Sequence, residues 1–336
     1  MPKLKFPMIA VCLATFAIGS TASAQEVRLL AFEGYADDAW RVPFEEASGC
    51  KVAVSYVGGV DEMFAKMAGS DGTDFDLVSI DTSLYPRYAE AGLLQAFDDQ
   101  KLSNLNNLLP AFQEVAAVQD GEKRLGIPIA WGSQGLIYDA DELSDAPTSW
   151  GAMWDPENAQ RVIALDDSNN NIVMAALYLG FDDPFDLTDE QMVQVRDKLI
   201  DLKGNLLSYY AGFEDGVAVW ESGAATMMLS MGEPQLGQLR ERGYNAVYSI
   251  PKEGAVGWLD TWALSAGAGD LDCAHAWADY SLRPEVGEVL NSKYGYGPTT
   301  MEAEGLDYAD NLVWLKPVED MDARVRLWNE VKAATK

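Results

Sequence analysis

Apolar residues recur along this chain at two periods, and the alternation of those periods gives the first picture of it. VRLLAF (27–32) is a short buried-type strand, and DAWRVPFEEASG (38–49) has helical spacing and stops at a glycine. KVAVSYV (51–57) alternates as a strand does, DEMFAKMAGS (61–70) is helical, and FDLVSI (75–80) is an apolar strand running into Asp81. Strand, helix, strand, helix, strand predicts a parallel sheet with covering helices. A second set follows from about residue 131. GLIYDA (135–140), RVIALDD (161–167) and GAATMMLS (223–230) read as strands, NIVMAALYLG (171–180) and TDEQMVQVRDKLIDLKG (188–204) as helices. With no internal repeat and no Pro/Gly/Ser-rich linker, the two sets predict lobes joined by crossing segments, with a cleft where they meet. Clefts between domains are preferred ligand sites.

The first 24 residues change where this fold is expected to work. Lys3 and Lys5 precede an apolar segment, and Ala22, Ser23 and Ala24 precede Gln25, which is the order of a secretory signal peptide cleaved after Ala24. A lipid anchor at Cys12 is the weaker alternative, because it follows Val11 and leaves a very short apolar region. No later run approaches the ~20 apolar residues of a membrane span. Cys50 and Cys273 then remain; two cysteines in an oxidising compartment commonly pair, so a Cys50 to Cys273 disulfide is expected.

Charge excludes some partners. With 53 acidic and 24 basic residues the chain has a net charge of −29, and nucleic acid and anionic membrane surfaces would both be repelled. Motifs exclude more. No P-loop, G-x-G-x-x-G, H-E-x-x-H or G-x-S-x-G occurs, and the only histidine, His275, lies beside an apolar helical face where a structural role is expected. DGTDFD (71–76) and DDSNNN (166–171) lack EF-hand spacing and read as turns. A secreted hydrolase with a carboxylate pair is the reading from another functional class, since so many acids always offer pairs.

Aromatics and carboxylates fall at predicted strand ends. Glu33 and Tyr35 follow VRLLAF, Asp81 and Thr82 follow FDLVSI, Trp131 follows LGIPIA, and Asp166 and Asp167 follow RVIAL. In open α/β sheets ligands bind at the carboxyl ends of strands, so these positions are candidates for one crevice. Each alone is equally a turn residue or helix cap.

FDLVSIDTSLYPRYAEAGLLQAFD (75–98), IPIAWGSQGLIYDADELSDAPTSWGAMWDP (127–156) and the block IPKEGAVGWLDTW…YGYGPTT (250–300) carry a resemblance. In their order and spacing the chain resembles the periplasmic spermidine/putrescine-binding proteins, the solute-binding components of polyamine-type ABC importers. The resemblance implies an α/β, two-lobed periplasmic binding protein fold closing over a small molecule in the cleft. One lobe is then expected from 25–130 and 257–302, the other from 131–256 and 303–336. It also implies roles. An aromatic, a spacer and an aspartate bind the amine in that family, and Trp258, Leu259 and Asp260 stand in those places. On a strand, residues two apart share a face, so Trp258 and Asp260 can both reach the cleft, and an indole face with a carboxylate suits an ammonium group.

Other positions transfer with changes. Asp167 matches an acid of the family, but Asn170 stands where a second is expected; Glu33, Gly34 and Tyr35 replace an aromatic-rich turn; Ser230 replaces a tryptophan with Glu233 close by; Asp81 and Thr82 stand at a usually small hydroxylic site; Tyr296 matches a tyrosine. Acids without arginines favour a putrescine- or spermidine-like cation over an anionic ligand. Another amine or a zwitterion is the alternative, and ferric iron a further one, because Tyr209 and Tyr210 form an adjacent pair with hard oxygen ligands. The expected protein is a periplasmic monomer that is not an enzyme. It binds no metal, cofactor or nucleic acid, and delivers its ligand to the permease subunits of an ABC importer.

Overall fold

The computed structural model describes residues 25–303 and 311–335. The expected signal peptide and its cleavage after Ala24 lie outside the described residues.

The chain alternates as its pattern predicts. Strand β1 (Glu26–Ala31), helix α1 (Asp38–Ser48), β2 (Lys51–Tyr56), α2 (Val60–Gly69), β3 (Leu77–Asp81), α3 (Tyr85–Glu90) and β4 (Gly126–Gln134) begin a large sheet. The chain then crosses at Gly135 into a second sheet formed by β5 (Leu136–Asp139), β6 (Val162–Leu165), β7 (Leu206–Tyr210), β8 (Met227–Leu229) and β9 (Ala246–Ser249). Between these strands run α4 (Ser168–Leu179), α5 (Asp189–Leu202), α6 (Phe213–Glu221) and α7 (Glu233–Glu241). Strand β10 (Ala255–Ser265) returns to the large sheet, followed by α8 (Leu271–Ser281), α9 (Pro284–Tyr294), β11 (Gly297–Pro298), β12 (Leu312–Trp314) and α10 (Met321–Ala333).

The large sheet runs β11-β4-β10-β3-β1-β2, with β12 also paired to β10, and the second runs β7-β6-β8-β5-β9. Both are mixed, not purely parallel. Strands β1, β2 and β3 are parallel as predicted, but β10 lies antiparallel between β3 and β4, because it re-enters from the second lobe across the gap that β4 left by. The last part of the chain serves both lobes. Its strand β12 pairs with β10, while α10 packs on α4 and α5.

Each sheet is covered on both faces, as buried strands require. One face of the large sheet packs Trp40 and Phe44 of α1 and Trp277 of α8 around Trp262; the other packs Met63 and Met67 of α2 with Tyr85 and Tyr88. The second sheet buries α4, α5 and α10 on one side and α6 and α7 on the other. Cys50 and Cys273 form a disulfide in the first of these cores, with Cα atoms 5.8 Å apart, tying β2 to α8 across 223 residues of chain. His275 is structural as expected: Nε2 accepts from the Asp98 N–H at 2.9 Å, Nδ1 lies 2.6 Å from the Leu271 carbonyl, and the ring meets Phe97 edge to face. No helix of the described residues is long and apolar enough to cross a membrane.

Candidate functional site: an acidic, ring-lined cleft

Strand β10 is buried along its whole length, and it carries two of the cleft's side chains at alternate positions, Trp258 and Asp260. Asp260 lies directly opposite Asp81, the last residue of β3, and the register on the β4 side slips immediately after Asp260. Such an irregularity re-aims side chains at the end of a sheet. Two carboxylates are therefore held face to face by the ladder itself. The Tyr35 hydroxyl donates to Asp260 at 2.7 Å, and the Ser83 N–H and hydroxyl donate to Asp81 at 2.8 and 2.5 Å. Burial pushes the Asp260 carboxyl up to about 8, Asp81 adds to the rise, and the Tyr35 hydrogen bond opposes it. Burial raises Asp81 as well, against the Ser83 hydrogen bonds.

The rings beside these acids have their own reason for being there. Trp258 lies across the ladder from Gly132, where a Cβ would come within 2.4 Å of the indole; only a residue without a side chain admits the ring. Tyr296 meets Trp258 edge to face at 5.1 Å, and Tyr35 packs against Tyr296 at 5.8 Å.

The second lobe contributes helix starts. Asp167 caps α4, its Oδ1 accepting the Asn170 N–H at 2.9 Å, and burial pushes its carboxyl up to about 7, with the charges of Asp61, Asp81 and Asp166 adding to the rise. At the end of β7, Gly212 takes φ +133°, a conformation that favours glycine, and α6 opens with Glu214 and Asp215 in its first turn. Asp215 accepts the Ala211 N–H at 2.9 Å. Across the gap, Glu33 is raised by burial and by Glu214 of the opposite lobe.

These elements enclose a cavity of about 350 Å³. Seven carboxylates line it, from Glu33, Glu62, Asp81, Asp167, Glu214, Asp215 and Asp260, together with Trp258, Tyr296, Tyr56 and Phe213; among the described residues no lysine, arginine or histidine does. Such a wall disfavours an anion and offers a cation both counter-charge and ring faces.

Of the positions singled out in the sequence, Glu33, Asp81, Asp167, Trp258, Asp260 and Tyr296 come together here. Tyr35 stands behind them and acts through Asp260. Thr82, Trp131 and Glu233 do not line the cavity. Thr82 opens a buried turn after β3; Trp131 turns to Trp314, with ring centroids 5.8 Å apart, over Gly297; Glu233 is engaged by the Ser133 hydroxyl at 2.6 Å. Tyr209 and Tyr210 belong to different cores, as neighbours on a strand must: the first meets Trp328 and the second donates to the Leu229 carbonyl at 2.7 Å. Their hydroxyls do not converge on one ion. Glu62, Gln134 and residues 211–215 were missed. The strand-end rule that found Asp81 also applies to YYAGFED (209–215), where two acids follow the strand.

The profile of the bacterial extracellular solute-binding proteins matches residues 39–312. The chain belongs to this family. Among curated relatives, this solute-binding protein is 27% identical to the putrescine-binding periplasmic protein PotF of Escherichia coli over 324 residues, covering 90% of this chain and 86% of that one. It is 28% identical to the spermidine/putrescine-binding periplasmic protein 1 of Haemophilus influenzae over 290 residues, 85% and 78% of the two chains. Its fold is also that of the binding protein MotA of Agrobacterium tumefaciens, solved with glucopine, at a TM-score of 0.77 and 15% identity over 92% of this chain and all (100%) of that one. The architecture is thus the two-lobed α/β fold of periplasmic binding proteins. It is not tied to one ligand.

Proposed function

We propose that this solute-binding protein captures a small organic cation, a putrescine- or spermidine-like amine, in the cleft and presents it to the permease of an ABC importer. The observation that carries this reading is the lining: seven acids and no basic residue among those described, with Trp258 and Tyr296 beside the Asp81 and Asp260 pair. Trp258 gives an indole face for the ammonium group, worth about 0.5–2 kcal/mol. Asp260 gives the charge-assisted hydrogen bond, Asp81 and Glu33 add counter-charge from the same lobe, and Asp167 with Glu214 adds it from the other. Relatives named for putrescine and spermidine support the choice of ligand class.

On this reading the first 24 residues are removed on export, the protein works in the periplasm as a monomer, and the lobes swing about the crossings at Gly135 and at residues 250–254. Ligand bound to both walls favours the closed arrangement, whose shape the permease reads. A thermal-shift screen against putrescine, spermidine, agmatine, betaine, amino acids, sulfonates and ferric citrate tests it. Polyamines should raise the melting temperature, the tighter ligand by more at equal concentration. A rise with betaine, sulfonates or ferric citrate alone would overturn it.

A further inference from the structure

Asp81 and Asp260 are the feature that ligand recognition alone leaves unexplained. They are opposite each other in the β3–β10 ladder, both are buried, and both face the same cavity. Residues directly opposite in an antiparallel pair have Cβ atoms only about 4.5–5.5 Å apart. The groups around them supply hydroxyls and rings but no cation. Tyr35 donates to Asp260, Ser83 donates to Asp81, Tyr85 and Tyr296 approach from α3 and from the turn after α9, and Asp167 faces them from α4. Basic residues on the neighbouring helices α3 and α10 are committed elsewhere. Arg87 lies 3.3 Å from both Asp61 and Asp322 and stacks on Phe64, and Lys332 pairs with Asp166 at 2.9 Å.

Two buried carboxylates so placed resist ionising together near neutral pH in an empty site. We infer that the empty cleft holds a proton on the Asp81 and Asp260 pair and that an arriving ammonium group displaces it, so that capture is an exchange of one cation for another. This rests on the amine reading above. The balance is simple: the amine enters already protonated, the shared carboxyl proton leaves to solvent, and the net charge of the pair with the one ammonium group it receives stays the same. Both carboxylates then accept from the guest's N–H groups. The high proton affinities of Asp260 and Asp167 agree with this arrangement. They titrate with Asp81 as a coupled set, so the released proton belongs to the cluster, with the β3–β10 pair as its centre.

The test is calorimetric titration with putrescine at pH 7 in buffers of different ionisation enthalpy. Putrescine is fully protonated there, since alkylammonium groups lose their protons only near pH ~10, so any proton released comes from the protein. About one proton per ligand should leave at pH 7, falling toward zero above pH ~9, and the affinity should rise by up to about tenfold per pH unit on the acid side. Asp81→Asn should weaken putrescine binding and, with the site saturated, cut the protons released per bound ligand by half or more. An infrared band of a protonated carboxyl, present in the empty wild-type protein and lost on adding putrescine, gives a readout that needs no variant. Binding with the same heat in every buffer, or no change in that band, overturns the exchange and leaves the amine reading standing. No binding at any pH overturns both.

Discussion

The wall of the cleft built by the large sheet carries its chemistry on strands, whereas the opposite wall carries it on helix starts. Trp258, Asp260 and Asp81 project from a ladder buried on both faces, so their spacing is fixed before any ligand arrives. Asp167, Glu214 and Asp215 stand at the first turns of α4 and α6, where N–H groups and the helix dipole favour negative charge. The strand wall brings like charges together and leaves them to be neutralised from outside. The helix wall supplies its acids with partners of its own. On the proposed function, we infer that the strand wall, with its paired acids on a rigid ladder, supplies most of the affinity, and that the helix wall completes closure.

That difference can be broken at its strongest point first. Asp260→Asn should weaken polyamine binding about a hundredfold or more in calorimetry, because removing one partner of an enclosed charge pair is worth about 3–5 kcal/mol. A loss below tenfold would place the main anchor elsewhere. The same variant sharpens the contrast through pH. Asp260, up to about 8, and Asp167, up to about 7, hold protons in the empty fold that they would give up unfolded. A carboxyl raised by folding supports stability in acid, and that support is lost as pH rises toward and through the folded value. Chemical denaturation of the empty protein should therefore show Asp260→Asn gaining on the parent from pH 5 to pH 9. A constant gap would deny the unfavourable burial.

Smaller effects belong to the ring and the mouth. Trp258→Ala should weaken binding about ten- to thirtyfold through the lost ring face and packing, with the protein still folded by circular dichroism. Glu214→Gln, on the helix wall and facing Glu33 across the gap, should change affinity only a few-fold, mainly through a slower, less salt-sensitive association in stopped flow. If Glu214→Gln outweighs Asp260→Asn, the ranking of the two walls is reversed.

Much of the strand wall was legible in the sequence, because period-two spacing in GWLDTW and a carboxylate closing FDLVSI are local signals. That Asp81 and Asp260 would face each other was not. Their pairing depends on β10 returning antiparallel beside β3, a register set by the whole path through the second lobe. Trp131 lies outside the lining for a related reason: alternation along β4 turns it to Trp314, and the position that admits a cleft ring on that strand is its neighbour Gly132. The helix wall was half legible. Asp167 follows a strand and precedes an apolar helix, a local signal, whereas Glu214 and Asp215 reach the gap only through the turn at Gly212.

Gly132 carries a consequence beyond its own strand. The space its missing Cβ leaves is occupied by the indole, with the Glu233 carboxylate oxygen also only 2.9 Å from that point. An alanine there would touch no guest, yet it would displace the ring that a guest meets. Relatives that lack glycine at this point would have to seat their aromatic differently, so a backbone position with no chemistry of its own decides which shapes the chamber can admit.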